Sequence, residues 1–390
     1  MGWQSTRLQL PDSGGGLRQH TMGASASFPH HPRGFQSRSV FAAPHVVANI
    51  RAEYTPGVHP PVDWEATMAF RRHLWSFGIG VAEGMDTSER GPGGLDWSQV
   101  KALIQRGISE AEKAGGAIVC GAGTDQISVS DPALTQVMDA YLEQTGFIES
   151  AGGATVIRAS HALVSAAKSP DDYLTVYDAV LGSLERPAIV HWLGTAFDPT
   201  LEGYWGHNDA REAMQVVLEM AHKNVDSLRG IKFSLLDEEL EVEFRRLVPA
   251  SVDIFTGDDY GYTQLLLGDD HHHSHGLLGA LDPLAPIASQ AFAALDHGDS
   301  AGFVEVMDST ISLAVKMFEP PAASYKVGVV FVAWLSGHQD HFRMVTGREG
   351  MRSLQHLTDL FVLGDELGLY PDVELAAHRM RTLLALGGIE

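Results

Sequence analysis

LRGIKFSLLD, Leu228–Asp237, is the stretch on which the reading of this chain turns. Its apolar run predicts a short strand over Gly230–Ser234 with a single lysine at its centre. Successive side chains of a strand point to opposite faces, so Ile231 and Phe233 share one face and Gly230, Lys232 and Ser234 the other. An amine whose same-face neighbours are small reads as a group aimed into a cavity. A solvated lysine on an edge strand would give the same local pattern, because lysine is rarely buried without a partner. The rest of the chain has to decide between the two.

Outward from this stretch, short apolar segments recur at Ser39–His45, Ile79–Gly84, Ala117–Gly121, Thr155–Ala159, Ala188–Trp192 and Val252–Thr256. A weaker eighth lies at Gly276–Leu281. Amphipathic stretches such as Trp97–Ala114, Pro132–Thr145, Asp171–Leu184 and Asp209–Lys223 fall between most of them. Strand starts lie roughly 20 to 40 residues apart, the cadence of parallel strands joined by crossover helices. The expected fold is α/β, a (β/α)8 TIM barrel over residues 39–285. An open doubly wound sheet is the runner-up, but no G-x-G-x-x-G follows the first strand. Residues 1–38 read as an N-terminal arm, with Leu8–Leu10 and Leu17–Thr21 flanking PDSGGG as a small hairpin. Residues 286–390 read as a helical cap packed on the barrel.

The formal charge of −22 disfavours a nucleic-acid partner, since phosphate binding needs clustered Lys and Arg. The single cysteine, Cys120, rules out an intramolecular disulfide and a multi-cysteine metal site. No basic-then-apolar leader opens the chain, and the most apolar run, Val327–Leu335, is too short to span a bilayer. The expectation is a cytoplasmic protein with no membrane partner.

In barrels of this kind the chemistry sits at the C-terminal ends of the strands. There the sequence sets His45, then Glu83 with Asp86, Thr87 and Ser88 in GMDTSER, and then GAGTD, Gly121–Asp125. Arg158, Ser160 and His161 follow, then His191, then Lys232 with Ser234, and finally TGDD with Asp258. Asp86, Thr87 and Asp258 are residue types that also cap helices. His, Arg, Lys and Glu are not, and their convergence on one mouth argues for a site. A lysine there can condense with a carbonyl to an imine that draws electrons and eases C–C cleavage or formation. Burial can lower its pKa from about 10.4 by up to roughly 3 units. A nearby Arg158 would push the same way and Glu83 would oppose it.

These residues resemble the dihydrodipicolinate synthase and N-acetylneuraminate lyase superfamily of Schiff-base aldolases, across about Ser39–Leu335. The similarity is carried by GIK at Gly230–Lys232, TGDD at Thr256–Asp259 and PPAASYKVGVVFVAWLSG at Pro320–Gly337. GMDTSE, Gly84–Glu89, looks like a longer variant of the superfamily's carboxylate-holding loop. The whole chain is similar to a branch known as a domain of unknown function. The resemblance implies Lys232 as the imine-forming lysine, with Thr87 and Ser88 holding a carboxylate or hydroxyl. It also implies a homo-oligomer, dimer or tetramer. PAIVHWLG, Pro187–Gly194, departs from the family pattern by placing His191 where the catalytic tyrosine would stand. The paired tyrosines after strand four are replaced by Ala159–His161. A histidine shuttles protons readily near neutrality, so imine chemistry is expected without pyruvate specificity.

Weaker signals are HHHSH, His271–His275, read as a surface loop, and His338 with His341, placed on one helix face of the cap. The leading expectation is an aldolase or lyase of a small carbonyl compound, a keto acid or sugar-derived keto acid. Lys232 and His191 are its catalytic residues. Glu83, Asp86, Thr87, Ser88, Arg158, His161, Ser234 and Asp258 face the substrate, and no cofactor or metal is called for. A divalent-metal sugar isomerase or epimerase, with Glu83, Asp125, His161 and His191 as ligands, is the second reading. A non-catalytic ligand-binding barrel is the third.

Overall fold

The computed structural model describes residues 6–53, 55, 60–85, 89–91 and 93–389. Two short strands open the chain, β1 (Arg7–Pro11) and β2 (Leu17–Thr21), paired antiparallel. Eight more form the barrel: β3 (Val40–Ala42), β4 (Gly80–Glu83), β5 (Ile118–Ala122), β6 (Ala154–Ile157), β7 (Ala188–Leu193), β8 (Leu228–Ser234), β9 (Asp253–Thr256) and β10 (His275–Leu278). All are parallel in sequence order, and β10 closes the ring by pairing with both β9 and β3. The TIM barrel expected from the recurring apolar segments is therefore present, and the open sheet is not.

Closure explains why the strands carry so little polar alternation. One face packs into the lumen and the other under the helices, so both are dry. Phe41, Ala82, Val119, Val156, Ile189, Phe255 and Leu277 fill the lumen. Val190, Trp192, Ile231, Phe233 and Ile254 face outward onto the helices. Each fully buried aromatic of this kind contributes about 2–3 kcal/mol of transfer free energy.

The crossover helices begin where the sequence supplies caps. Asp96 accepts the amide of Gln99 at 2.7 Å to start the helix Trp97–Ala114, and Gly115, at φ 66°, ends it. After β10, helices run Leu281–Asp296, Ser300–Phe318, Tyr325–Leu335, Leu354–Glu366 and Val373–Leu386. The hairpin residues Leu8 and Leu10 share one apolar core with Phe303, Phe331 and Phe361 from these helices. His20 Nε2 adds a contact of 2.8 Å to the Asp365 carboxylate. His338 and His341 do not share a helix, because the helix Tyr325–Leu335 stops before them. His338 packs edge-on against Phe70, and His341 Nε2 lies 2.9 Å from the Ala48 carbonyl. Among the described residues no helix is long and apolar enough to cross a membrane.

Candidate active site

Strand register brings the central pair together. His191 on β7 is directly opposite Lys232 on β8, and Leu193 is opposite Ser234. The outward burial of Ile231 and Phe233 turns Gly230, Lys232 and Ser234 into the lumen, as the alternation required. Lys232 is 9 % exposed and His191 5 %. With Ser234, Gly257 and Asp259 they line a cavity of about 50 Å3, closed by Phe318 and Tyr325 from the C-terminal helices. Gly257 is required there. A Cβ on it would sit 2.0 Å from Ser234 Oγ and 2.8 Å from Lys232 Cε.

His191 Nε2 and Ser234 Oγ are 3.0 Å apart, a hydrogen bond whose direction follows the imidazole tautomer. Burial holds the His191 pKa well below its ordinary value, and the charges of Lys232 and Arg158 push the same way. The ring is therefore neutral at pH 7 and available as a base. Asp259 supplies a second proton carrier. Burial pushes its carboxyl up to about 7, against the Ala280 N–H donated at 2.8 Å and the Lys232 charge.

Of the remaining sequence-derived residues, some reach this mouth and others do not. Arg158 lies in the adjoining cleft at 6 % exposure. His161 stands at that cleft's rim, its side chain 63 % exposed and its Nε2 2.5 Å from Asp198. Glu83 turns away from the lumen. Its carboxylate receives Arg71 Nε at 3.0 Å and Nη2 at 2.8 Å, in a fully buried pair between the barrel and the helix Trp64–Ser76. The cause is strand parity, since Ala82 faces in and its neighbour must face out. Asp258 also serves the backbone, accepting the amides of Tyr260 at 2.8 Å and Gly261 at 3.0 Å. Asp86, Thr87 and Ser88 lie outside the described residues.

The sequence reading missed Asp259, although the signal was available. Asp259 has the same parity as Phe255 and Gly257, which face inward, whereas Asp258 does not. It also missed Lys326. This fully buried lysine stands behind the cavity and donates at 2.7 Å to the carbonyl of Ala43, one of its wall residues. The four residues of the metal reading do not meet at a point. Glu83 is held by Arg71, Asp125 by Arg90 at 2.7 Å and His161 by Asp198, leaving His191 in the lumen. Among the described residues no three His, Cys, Asp or Glu side chains converge as a metal site.

A family model described as "Protein of unknown function (DUF993)" matches residues 8–389. No curated protein matches the sequence. Among solved structures, the dihydrodipicolinate synthase of Bacillus clausii superposes with TM-score 0.60 at 13 % identity, covering 85 % of this chain and 98 % of that one. A prophage protein of the dihydrodipicolinic acid synthase family from Escherichia coli, solved in complex with pyruvate, gives TM-score 0.60 at 14 % identity, covering 90 % and 99 %. The 4-hydroxy-tetrahydrodipicolinate synthase of Methylacidiphilum fumariolicum gives TM-score 0.60 at 14 % identity, covering 89 % and 99 %. At this identity the likeness is one of fold.

Proposed function

For a chain that belongs to the DUF993 family and is folded like the dihydrodipicolinate synthases, we propose a Schiff-base aldolase or lyase reaction on a small carbonyl compound. The observation that carries it is the inward-facing, 9 % exposed Lys232, set opposite His191 on a cavity of about 50 Å3.

Neutral Lys232 Nζ attacks the carbonyl carbon, and loss of water leaves the imine. Cleavage of the neighbouring C–C bond sends its electron pair into the imine as an enamine. The proton released from the substrate hydroxyl goes to His191, with Ser234 fixing the ring. Asp259, which carries a proton below about pH 7, returns one to carbon or to the departing water. Hydrolysis then restores the lysine. His191 takes the place of a phenol; with its pKa held low by burial it is neutral at pH 7 and carries the proton only transiently.

The test is reductive trapping. Cyanoborohydride with a panel of keto acids and keto sugars should leave a mass-shifted peptide containing Lys232, and Lys232→Ala should abolish the adduct and any turnover. Undiminished turnover in Lys232→Ala would sink the reading. Tight binding of a panel member with neither adduct nor turnover would instead favour the non-catalytic binding barrel.

A further inference from the structure

The cavity at Lys232 is small, about 50 Å3. Leu193 also lines a second, much larger space, a cleft of about 450 Å3 above the ends of β5, β6 and β7.

The cleft is basic in a chain of net charge −22. Arg90, Arg158 and Arg348 line it, against Asp125 and Asp198. The two buried arginines are not equivalent. Arg90 uses its donors within the protein, on the Gly84 and Gly121 carbonyls, both Asp125 oxygens and Gln144. It thereby neutralises Asp125. Arg158 is left with that carboxylate at 3.6 Å, beyond hydrogen-bond distance, and its Nε has no partner. Its stem packs against the backbone of Gly121. A Cβ at Gly121 would meet Arg158 Cδ at 2.9 Å, and Tyr141 donates to the Arg158 carbonyl. Beside it Thr124 and Ser160 share a hydrogen bond of 2.5 Å on the same wall, which leaves one of their two O–H groups to donate elsewhere, and Ser160 Oγ also accepts the Leu163 amide at 3.0 Å. A buried guanidinium with unspent donors, next to a free O–H, is the chemistry that takes up an oxyanion.

We propose that this cleft is an oxyanion subsite. Arg158, with the one free O–H of the Thr124–Ser160 pair, holds a carboxylate or phosphate at the far end of a substrate whose carbonyl carbon is at Lys232. The substrate class is then a short keto compound with a second anionic group, too long for the Lys232 cavity alone. The position of the carbonyl rests on the imine reading, whereas the anion site itself does not need Lys232.

Calorimetric titration of the full chain with inorganic phosphate and, separately, with malonate tests this directly. At least one anion should bind at millimolar concentration, and whichever binds tighter distinguishes phosphate from carboxylate. Arg158→Gln should weaken that binding about tenfold or more, with Arg158→Lys intermediate. Should Arg158→Gln fold poorly, Thr124→Val supplies the independent check and should weaken binding several-fold. Binding in a well-folded Arg158→Gln equal to wild type would overturn the proposal, as would no binding of either anion. Lys232→Ala should bind the anion normally while losing the trapped adduct. An adduct that persists in Lys232→Ala removes the imine reading and leaves the anion site standing.

Discussion

His191 Nε2 lies 3.0 Å from Ser234 Oγ, so the imidazole on β7 is held by the residue two positions beyond Lys232 on β8. Base and amine are thus fixed by the same two strands. General acid–base residues contribute about 10²- to 10⁴-fold. His191→Phe should therefore cut turnover of any trapped substrate about a hundredfold or more, while leaving Lys232 able to form an adduct. Ser234→Ala, which frees the ring to rotate, should cost about tenfold and shift the pH profile. Turnover and pH profiles of both variants check this, and unchanged profiles would remove His191 from the mechanism.

Asp259 sets a pH dependence whose sign can be worked out. Its carboxyl is raised to about 7, so the fold favours the protonated form. The associated stability is complete below the ordinary value near 3.9 and is lost as pH rises through about 7. Asp259→Asn should flatten that decline in thermal melts between pH 5 and 8. It should also remove an inflection near pH 7 from the trapping rate. A wild-type rate without that inflection counts against a proton role for Asp259.

Glu83 and Arg71 make a different forecast, because their fully buried pair lies outside the lumen. Removing one partner of a buried ion pair costs about 3–5 kcal/mol by leaving the other uncompensated. Arg71→Met should lower the melting temperature sharply, and the double variant Arg71→Met, Glu83→Leu should recover much of the loss. Trapping per folded molecule should stay near wild type in both. A Glu83→Gln variant that melts normally yet fails to trap would return Glu83 to the site.

Gly257→Ala tests the crowding at Lys232. A new methyl group 2.0 Å from Ser234 Oγ must displace it, and Lys232 Cε with it. Misplacement of a reacting group by about 1 Å costs on the order of a hundredfold. Trapping should fall by that order, with about 1–3 kcal/mol of stability lost to overpacking. Gly146→Ala, inside the helix Leu134–Ser150 with nothing within 4 Å, should instead stabilise by about 0.5–1 kcal/mol and leave trapping intact.

The barrel was legible because burial on both faces leaves a strand as a bare apolar run, and eight such runs recur between amphipathic helices. Lys232 and His191 were legible for the same reason, being polar residues interrupting those runs. Glu83 interrupts one equally well, yet it points outward to Arg71, and nothing in GVAEG by itself says which face of β4 is the lumen. The choice between Asp258 and Asp259 was of the same kind.

What the sequence determined by itself was the strand–helix rhythm and the alternation within each strand, because both are set by local backbone geometry. Which parity faces the lumen was decided only when the ring closed. So was the way Phe318 and Tyr325 come to roof the Lys232 cavity, and the way Arg90 claims Asp125 and leaves Arg158 unspent. Those relationships join residues far apart in the chain, and packing, not local preference, brings them together.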